Sequence, residues 1–277
     1  MNVNNTTFII ATYKSQNTIY DCINSIPKEV KKIVVENSNN EDFKIDLENK
    51  YENLKCYLMN ENLGYGKANN FGINKSDTAY VFILNPDAKL LNNSFEDMCK
   101  KLNNKNFSIA GPIVSEELKK YSYDDNGLAE VAFIKGFAMI LNKEKFRNNF
   151  FDENIFLYLE EIDLCKRVKD EKGRIIKINV LVEHSGGLSH GNKDDIEMEK
   201  SRNWHWMWSK FYYNHKHKGY FFAIINTFPN FISSIIKYLI YKLMRKDKKK
   251  DIYKMRLLGL FNSYMLKKSF YRPYSNY

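Results

Sequence analysis

Short apolar runs that alternate with helical patterns constrain the fold of this 277-residue chain more than any other feature. Strands are predicted at residues 8–11, 32–35, 54–59 and 80–84, and the helices between them at 18–26, 42–51 and 67–74. Strands that alternate with helices form a mainly parallel sheet through right-handed crossovers. The first half is therefore predicted to be an α/β domain.

Polar residues follow each predicted strand, at residues 12–13, 36–38, 60–64 and 85–87. Ligands of open α/β sheets bind beyond the carboxyl ends of the strands. The pattern therefore predicts a binding crevice lined by these four segments.

The second half of the chain is less regular before it becomes strongly basic. After residues 85–135, which show no clear period, a strand is predicted at 136–141, then an acidic helix that ends near residue 173, and a strand at 174–180. From about residue 200 the composition turns aromatic and basic. This change predicts a domain at 1–199 and a helical tail at 200–277.

The formal net charge of +10 belongs entirely to this tail. Residues 1–199 carry 26 Lys and Arg against 31 Asp and Glu, whereas residues 200–277 carry 17 against 2. A basic tail indicates an anionic partner rather than a general property of the fold. The four widely spaced cysteines favour a reduced, cytosolic compartment and argue against a cysteine-rich zinc module. We expect no signal peptide at the start of the sequence.

Three segments carry candidate chemistry. The first, at residues 152–167, crowds Glu160, Glu161 and Asp163 at the start of a helix. Crowded carboxylates raise one another's pKa, so the cluster needs a reason. Acids favour the positive end of a helix dipole, and a catalytic base is the other explanation. Neither explanation is excluded by this segment alone.

The second segment, Asn85-Pro86-Asp87, directly follows the predicted buried strand YVFIL. An acid in this position can bind a divalent cation that neutralises a diphosphate, although the same tripeptide is a common turn. The third is the loop NLGYGKANNFG at 62–72. Its glycines and the helix that follows can bind a phosphate group, although the same sequence also suits an ordinary loop between a strand and a helix. His184 follows a later predicted strand, and it is either a ligand of a metal ion or a structural histidine.

Taken in order, these pieces resemble the family 2 glycosyltransferases, particularly the bacterial rhamnosyltransferase-like branch. The resemblance covers most of residues 6–190 and rests on seven segments, IIATYKS, IVVENSN, NLGYGKANNFG, YVFILNPDA, KGFAMILNKEKF, FDENIFLYLEEIDLCKR and VEHSGG. It implies a Rossmann-like glycosyltransferase A-type fold, a nucleotide-sugar donor, inversion at the anomeric carbon, and Mg²⁺ or Mn²⁺ as cofactor.

The resemblance also implies roles for single residues. The family positions that hold the nucleotide base and ribose match Thr12 and Glu36, and the loop along the nucleotide matches Asn62, Gly64, Lys67 and Asn69. Asp87 matches the last acid of the metal motif, where it also serves nucleotide binding, and His184 matches the histidine near metal and diphosphate. Glu161 matches the catalytic base.

Three positions depart from the usual family pattern. Asn85 and Pro86 replace acids in the metal motif, in a form familiar in the rhamnosyltransferase-like branch. Glu36 and Glu161 stand where aspartate is usual, and the added methylene of Glu161 displaces a carboxylate by about 1 Å. Glu160 and Asp163 therefore stay open as alternatives for the base.

The tail predicts amphipathic helices from about Phe231 and over residues 252–271, after an apolar stretch that Asn226 and Pro229 interrupt. We expect these helices to lie on an anionic membrane face. A helical cap, packed on the catalytic domain or across a homodimer, is the open alternative.

The predicted function is an inverting hexosyltransferase of surface polysaccharide synthesis, located in the cytoplasm and peripherally at the inner face of the membrane. Its partners would be a dTDP- or UDP-linked donor sugar and a glycan or polyprenyl-linked acceptor. A catalytically inactive membrane scaffold is the first alternative. A nucleic-acid-binding protein is less favoured because the chain carries no nucleic-acid-binding signature.

Overall fold

The computed structural model describes residues 1–147, 150–186 and 195–274. Contacts within the chain divide it into two compact units. The first comprises Met1–Asp152 and Glu161–Lys193, and the second comprises Glu153–Glu160 and Asp194–Tyr277. The predicted domains, 1–199 and 200–277, place the boundary a few residues later and do not anticipate the short segment that the second unit takes from the middle of the chain.

A nine-stranded sheet forms the centre of the first unit as far as the chain is described. Its strands are β1 (Thr6–Thr12), β2 (Lys31–Glu36), β3 (Leu54–Leu58), β4 (Tyr80–Leu84), β5 (Ala88–Leu90), β6 (Ile109–Ile113), β7 (Leu128–Glu130), β8 (Ala138–Asn142) and β9 (Ile175–His184). Their spatial order is β3-β2-β1-β4-β8-β6-β9-β5, and β7 also pairs with β9. The first four strands are mutually parallel, whereas β8 runs antiparallel to both of its neighbours.

Helices flank the sheet of the first unit and form most of the second. They are α1 (Ile19–Asn24), α2 (Glu41–Lys50), α3 (Tyr65–Lys75), α4 (Ser94–Leu102) and α5 (Glu160–Asp170), followed by α6 (Ile196–Lys218), α7 (Tyr220–Leu243) and α8 (Asp247–Tyr264). Single 3₁₀ turns lie at Val3–Asn5, Ser115–Glu117 and Lys143–Lys145. The predicted α/β class with a C-terminal helical region is confirmed.

Both faces of the central strands are buried, which explains their continuous apolar sequences. In β1, Phe8 and Ile10 pack in one core cluster, whereas Ile9 packs in the cluster on the opposite face. Adjacent side chains of a strand point to opposite faces, so a strand covered on both sides needs apolar residues at every position. This burial leaves only the strand ends for polar residues.

The expectation of irregular structure between residues 85 and 135 is wrong. The region contains β5, α4, β6 and β7. Strand β6 (IAGPI) holds Gly111 and Pro112, two residues that usually interrupt strands. Its pairing with β9 changes register between Gly111 and Ile113, and this irregularity accommodates the proline.

The crowded acids lie at the start of a helix, as predicted. Helix α5 begins at Glu160 and ends at Asp170. Tyr158 and Leu159, which directly precede it, have φ angles of 70° and 68°. Side-chain-bearing residues in this left-handed region cannot continue a right-handed helix, so the helix is stopped there.

The second unit is built from α6, α7 and α8 around an aromatic core. Trp204 and Trp208 of α6 pack with Met255 of α8, and Met207 and Phe211 pack with residues of α7 and α8. The fully buried His205 forms hydrogen bonds at both ring nitrogens. Its Nε2 donates to the Tyr271 carbonyl at 2.8 Å, and its Nδ1 accepts from the Ser269 hydroxyl at 3.1 Å. Burial lowers the pKa of His205 to about 3, so this histidine is a neutral structural residue.

Helix α7 is continuous from Tyr220 to Leu243, so the predicted interruption at Pro229 does not occur. Proline lacks an N–H and leaves the carbonyl four residues earlier, that of Ile225, without its helical donor. Pro229 and Ile225 both lie on the exposed side of the helix, where this loss costs little. Within the described residues, α7 is also the one helix long and apolar enough to cross a membrane by length and composition.

We expect Gly259→Ala to destabilise the second unit because α8 meets the backbone of α6 at this position. A Cβ on Gly259 would lie 2.3 Å from the carbonyl oxygen of Trp204, so the two helices must separate. The expected loss is about 1–3 kcal/mol in the free energy of unfolding, measured by urea denaturation. The exposed Lys254→Ala on the same helix is the control, and an equal effect of both changes would contradict the prediction.

Candidate active site

Two of the predicted nucleotide-binding residues bond to each other at adjacent strand ends. The parallel register of β1 and β2 pairs Thr12 with Glu36, and the Thr12 hydroxyl donates to Glu36 Oε2 at 3.0 Å. Ser38 donates to Oε1 through its backbone N–H at 2.8 Å and through its hydroxyl. Burial raises the pKa of Glu36, and these three donors oppose the shift.

The side chains of Thr12 and Glu36 are fully buried, and the contacts that they make hold the loops after β1 and β2 in place. The neighbouring Asn37 extends this arrangement. Its Nδ2 donates to the Thr12 carbonyl at 3.1 Å, and its Oδ1 accepts from the N–H of Leu63 at 3.2 Å. Asn37 therefore attaches the loop before α3 to the end of β1.

The four predicted residues of this loop and helix lie in one short stretch. Asn62 accepts the N–H of Gly64 at 3.0 Å, and Gly64 itself has φ of 77°, a left-handed angle that suits glycine. Lys67 is half-buried in the first turn of α3. Asn69 is fully buried; its Nδ2 donates to the Tyr65 carbonyl, but its Oδ1 has no hydrogen-bond partner among the described residues.

Asp87 and His184 lie together where β5 pairs with the end of β9. The register pairs Ala88 with His184, and His184 Nε2 is 3.5 Å from Asp87 Oδ1. The His184 ring stacks on Phe137 with centroids 4.2 Å apart. The Nε2 atom is buried and has no hydrogen-bond partner among the described residues, so it offers a free lone pair or proton beside the carboxylate.

The segment Lys135–Gly136–Phe137, which enters β8, connects these groups. The Tyr65 hydroxyl donates to the Gly136 carbonyl at 2.5 Å. A Cβ placed on Gly136 would lie 3.6 Å from Cβ of Glu161. Phe137 stacks on His184 and accepts the N–H of Asn85 at 2.8 Å. The start of α3 through Tyr65, the acidic helix through Glu161, and the Asp87–His184 pair therefore all border Gly136 and Phe137.

The acids of α5 have different surroundings. Asp163 is fully buried and accepts from Arg167 Nε at 2.9 Å. Glu161 is half-buried, and burial raises its pKa above the ordinary value of 4.5, partly opposed by the backbone N–H groups of Glu161 and Ile162. An acid already paired with arginine is a poor proton acceptor, whereas an acid with a raised pKa is a better one. The surroundings thus distinguish Glu161 from Asp163.

Five residues of this network had no individual role predicted for them: Asn37, Ser38, Tyr65, Asn70 and Phe137. Asn70 holds Phe151 through two hydrogen bonds of 2.9 Å to its backbone, and the other four make the contacts given above. Asn37 and Ser38 belong to the strand-end segment 36–38 that was predicted to line the crevice. The types of the other three gave no separate signal, because asparagine and aromatic residues are common in connecting loops.

A cavity of 640 Å³ lies elsewhere in the first unit and holds none of the predicted site residues. It is lined by Asp21, Asn24 and Ser25 from α1 and its end, and by residues 89–92. The ion pair of Asp21 with Lys89, at 3.0 Å, is exposed. The chemistry of this cavity gives no reason to place the active site there.

The family model described as "Glycosyl transferase family 2" matches residues 7–163, more than half of the chain. The chain belongs to this family. Among curated proteins, the low-salt glycan biosynthesis hexosyltransferase Agl10 of Haloferax volcanii is 24% identical over 199 residues. The match covers 62% of this chain and 64% of that protein, so it spans less than two thirds of the relative's length.

Solved structures show that this family 2 chain has the glycosyltransferase A-type fold. The mannosyltransferase PcManGT of Pyrobaculum calidifontis, solved with GDP-Man and Mn²⁺, is similar with a TM-score of 0.56 at 12% identity. The similarity covers 94% of this chain and 87% of that one. TarS 1–349 of S. aureus is similar with a TM-score of 0.53 at 13% identity, over 96% of this chain and 93% of that one.

The residues present fit the divalent ion that the fold family implies. No group of three or more His, Cys, Asp or Glu residues in the described part of the chain forms a complete metal cage. Mg²⁺ commonly uses one or two protein ligands together with substrate phosphates, at about 2.0–2.1 Å. Asp87 Oδ1 and His184 Nε2, 3.5 Å apart, are close to the separation of two neighbouring ligands of one ion, and the free Nε2 suits this role.

We expect Glu161→Gln to raise the stability of the protein at pH 7 and Asp163→Asn to lower it. Because the folded-state pKa of Glu161 is raised, its ionisation weakens the fold, and the neutral isostere removes that cost. The gain should vanish below about pH 4.5, where this carboxyl is protonated in both states. Asp163→Asn leaves Arg167, which is 24% exposed, without its anion, at a cost of about 1–3 kcal/mol.

Urea denaturation of both variants at pH 7 and pH 4 measures these effects. A loss of stability in Glu161→Gln at pH 7 would show that this carboxylate is held by a favourable interaction, contrary to the prediction.

Proposed function

We propose that this protein is an inverting, metal-dependent glycosyltransferase that moves a sugar from a nucleotide diphosphate sugar to a hydroxyl of an acceptor. The observation that carries the proposal is that Glu161, the Asp87–His184 pair and Tyr65 at the start of α3 all border Gly136 and Phe137. Transfer needs a base for the acceptor hydroxyl and a stabilised diphosphate leaving group. One segment brings candidates for both needs together.

Asp87 and His184 would hold Mg²⁺ or Mn²⁺ against the donor diphosphate. When bound, the ion stabilises negative charge on the leaving diphosphate as a Lewis acid. The stacking of His184 on Phe137 fixes the ring plane and therefore the direction of its Nε2 lone pair. The carboxylate of Asp87, whose side chain is fully buried, supplies the negative charge of the pair.

Glu161 would take the proton of the acceptor hydroxyl as its oxygen bonds to the anomeric carbon. The bond from that carbon to the diphosphate oxygen breaks with its electron pair, and the nucleoside diphosphate leaves. One displacement from the opposite face inverts the anomeric carbon, and no acid is needed for a leaving group whose charge is already compensated. A raised pKa makes Glu161 a stronger base than an ordinary glutamate.

Thr12, Glu36, Asn62, Gly64, Lys67 and Asn69 would form the nucleotide site. The bonded Thr12–Glu36 pair fixes the strand ends, and Asn37 connects them to the loop that carries Asn62 and Gly64. The buried, unpaired Oδ1 of Asn69 offers an acceptor at the first turns of α3. Lys67, in the same turns, offers a cation to the phosphates.

The donor base would be thymine or uracil and the sugar a hexose, with rhamnose as the first candidate from the sequence resemblance. The acceptor would be a glycan or a polyprenyl-linked glycan of surface polysaccharide synthesis. Both substrates place the enzyme in the cytoplasm, at the inner face of the membrane. The glycan-synthesis role of the Haloferax volcanii relative supports this class of reaction.

Nucleotide binding is tested first, by thermal shift with UDP, dTDP, GDP and CDP, each with and without Mn²⁺. We expect one nucleotide to stabilise the folded protein when metal is present, by roughly 2.7 kcal/mol at 100 times its Kd. EDTA and Asp87→Ala should each remove this effect, because the diphosphate then lacks its compensating charge. A folded protein that none of the nucleotides stabilises would contradict the proposal and favour the inactive scaffold.

Transfer itself is tested with Glu161→Ala and Glu161→Gln. Both should lose activity by at least about 10²-fold while keeping the metal-dependent nucleotide shift, because they remove the base and not the donor site. In the unchanged protein, kcat should fall with decreasing pH through a pKa above 4.5, as the raised pKa of Glu161 requires. Full transfer by Glu161→Gln would show that another group is the base.

A further inference from the structure

Helix α7 presents a continuous row of large apolar side chains to the outside of the second unit. Seven side chains, spaced three or four residues apart, are between 40% and 87% exposed: Phe221, Ile225, Phe228, Ile232, Ile236, Leu239 and Leu243. Residues at this spacing lie on one face of a helix. We call these seven residues the α7 stripe.

The opposite face of α7 packs within the second unit and is itself partly apolar. Ala223, Thr227 and Ser234 are buried there, and Ile224 and Phe231 pack half-buried against the core formed with α6 and α8. A surface helix of a water-soluble protein carries apolar residues on its inner face and polar residues on its outer face, whereas α7 carries large apolar residues on its outer face as well. The α7 stripe therefore indicates that an apolar medium covers its outer face.

Polar contacts hold the first half of α7 against α6 and α8. Lys210 of α6 donates to Asn230 at 2.7 Å, and the hydroxyls of Thr227 and Tyr264 are 3.0 Å apart. Tyr220 donates to the Tyr264 carbonyl at 2.9 Å. A helix that crossed the bilayer would have to break these bonds, whereas a helix that lies in the membrane surface keeps them.

Cations lie on one side of the α7 stripe and beyond its end. At about 100° per residue, the exposed Lys242 lies about 80° from the centre of the row, whereas Lys237 lies about 140° from it, with its Nζ 5.3 Å from the ring centroid of Tyr253 in α8. Five cations follow within residues 245–250, and residues 200–277 carry 17 basic against 2 acidic residues. Two copies of this face would bring like charges together, so a second copy is a poor occupant.

We propose that the α7 stripe lies in the plane of an anionic membrane surface, with its apolar side chains at the boundary between headgroups and acyl chains. Lys242 and the cations of residues 245–250 then contact the anionic headgroups. An apolar face with cations beside it is the pattern of helices that lie in the interface. This inference concerns the second unit and does not depend on the proposed transfer reaction.

Vesicle flotation of the full chain tests the apolar part. Vesicles of phosphatidylcholine with 30% phosphatidylglycerol should bind the protein, and the triple variant Ile225→Ser, Phe228→Ser, Leu239→Ser should bind at least tenfold more weakly. The three side chains are 50–72% exposed, so the variant should fold as the unchanged protein does. Ile45→Ser with Leu118→Ser, 51% and 52% exposed in the first unit, is the matched control and should bind normally.

The same assay tests the charges. Lys242→Gln should weaken binding about fivefold, which corresponds to about 1 kcal/mol per cation near an anionic surface. The exposed Lys55→Gln and Lys75→Gln in the first unit are the controls. Equal binding to vesicles of pure phosphatidylcholine would overturn the assignment to an anionic surface.

Orientation is tested with a fluorescent nitrobenzoxadiazole label at Phe221→Cys or Leu243→Cys, in a Cys99→Ser background. External dithionite, which does not cross the bilayer, should quench the label at both ends of an in-plane helix. Protection of one end would show a spanning helix and overturn the proposal. Sedimentation gives a second test. If variants of the α7 stripe convert a dimer to a monomer without weakening vesicle binding, a second copy of the chain covers the stripe, and the proposal is overturned.

Discussion

The antiparallel pairing of β8 with β4 is the interaction on which the candidate site depends. The pairing of Leu84 with Ala138 fixes the entry to β8 beside the carboxyl end of β4, where Asp87 follows. Residues 135–137 are thereby held at the same edge of the sheet as the strand-end residues Thr12 and Glu36. A parallel β8 would deliver its far end to this edge instead. The antiparallel direction of β8 therefore brings the residues that enter this strand to the edge where the parallel strands end.

Environment, rather than residue type, separates the carboxylates of the first unit. Glu36 is buried among hydroxyl and N–H donors, Asp163 is buried against an arginine, and Asp87 lies beside a histidine. The Arg167 guanidinium compensates the charge of Asp163. For Glu36 the opposing hydrogen bonds come from Thr12 and Ser38, and for Glu161 from N–H groups at the start of α5; in both cases burial outweighs them and raises the pKa. A carboxyl held in this state stores free energy that becomes available when it accepts a proton.

The sequence was sufficient for the elements with strong periods and insufficient where local signals conflict with tertiary contacts. Strands β1 to β4 have unbroken apolar runs between helical patterns, and their positions were predicted to within two residues at each end. Strand β6 was missed because Gly111 and Pro112 read as a break, although pairing with β9 tolerates them through a change of register. The acid cluster marked the start of α5 correctly, but the left-handed φ angles of Tyr158 and Leu159 before it have no signal in their residue types.

The same limit applies to the site. Motif resemblance selected the pairs Thr12 with Glu36 and Asp87 with His184, which the fold brings into contact. It could not select Gly136 and Phe137 as the residues that connect them, because their part is set by strand direction and close approach. Composition alone did not show that the apolar side of α7 faces outward; that depends on which side packs against α6 and α8.

The contacts of residues 135–137 also bear on how this site can change during evolution. Tyr65 hydrogen-bonds to Gly136, Cβ of Glu161 lies close to the same glycine, and His184 stacks on Phe137. A substitution that shifts this segment alters all three neighbours, so its effect depends on the residues already present at the other positions. Changes here are therefore expected to be non-additive, and the three neighbours should covary among relatives instead of drifting independently.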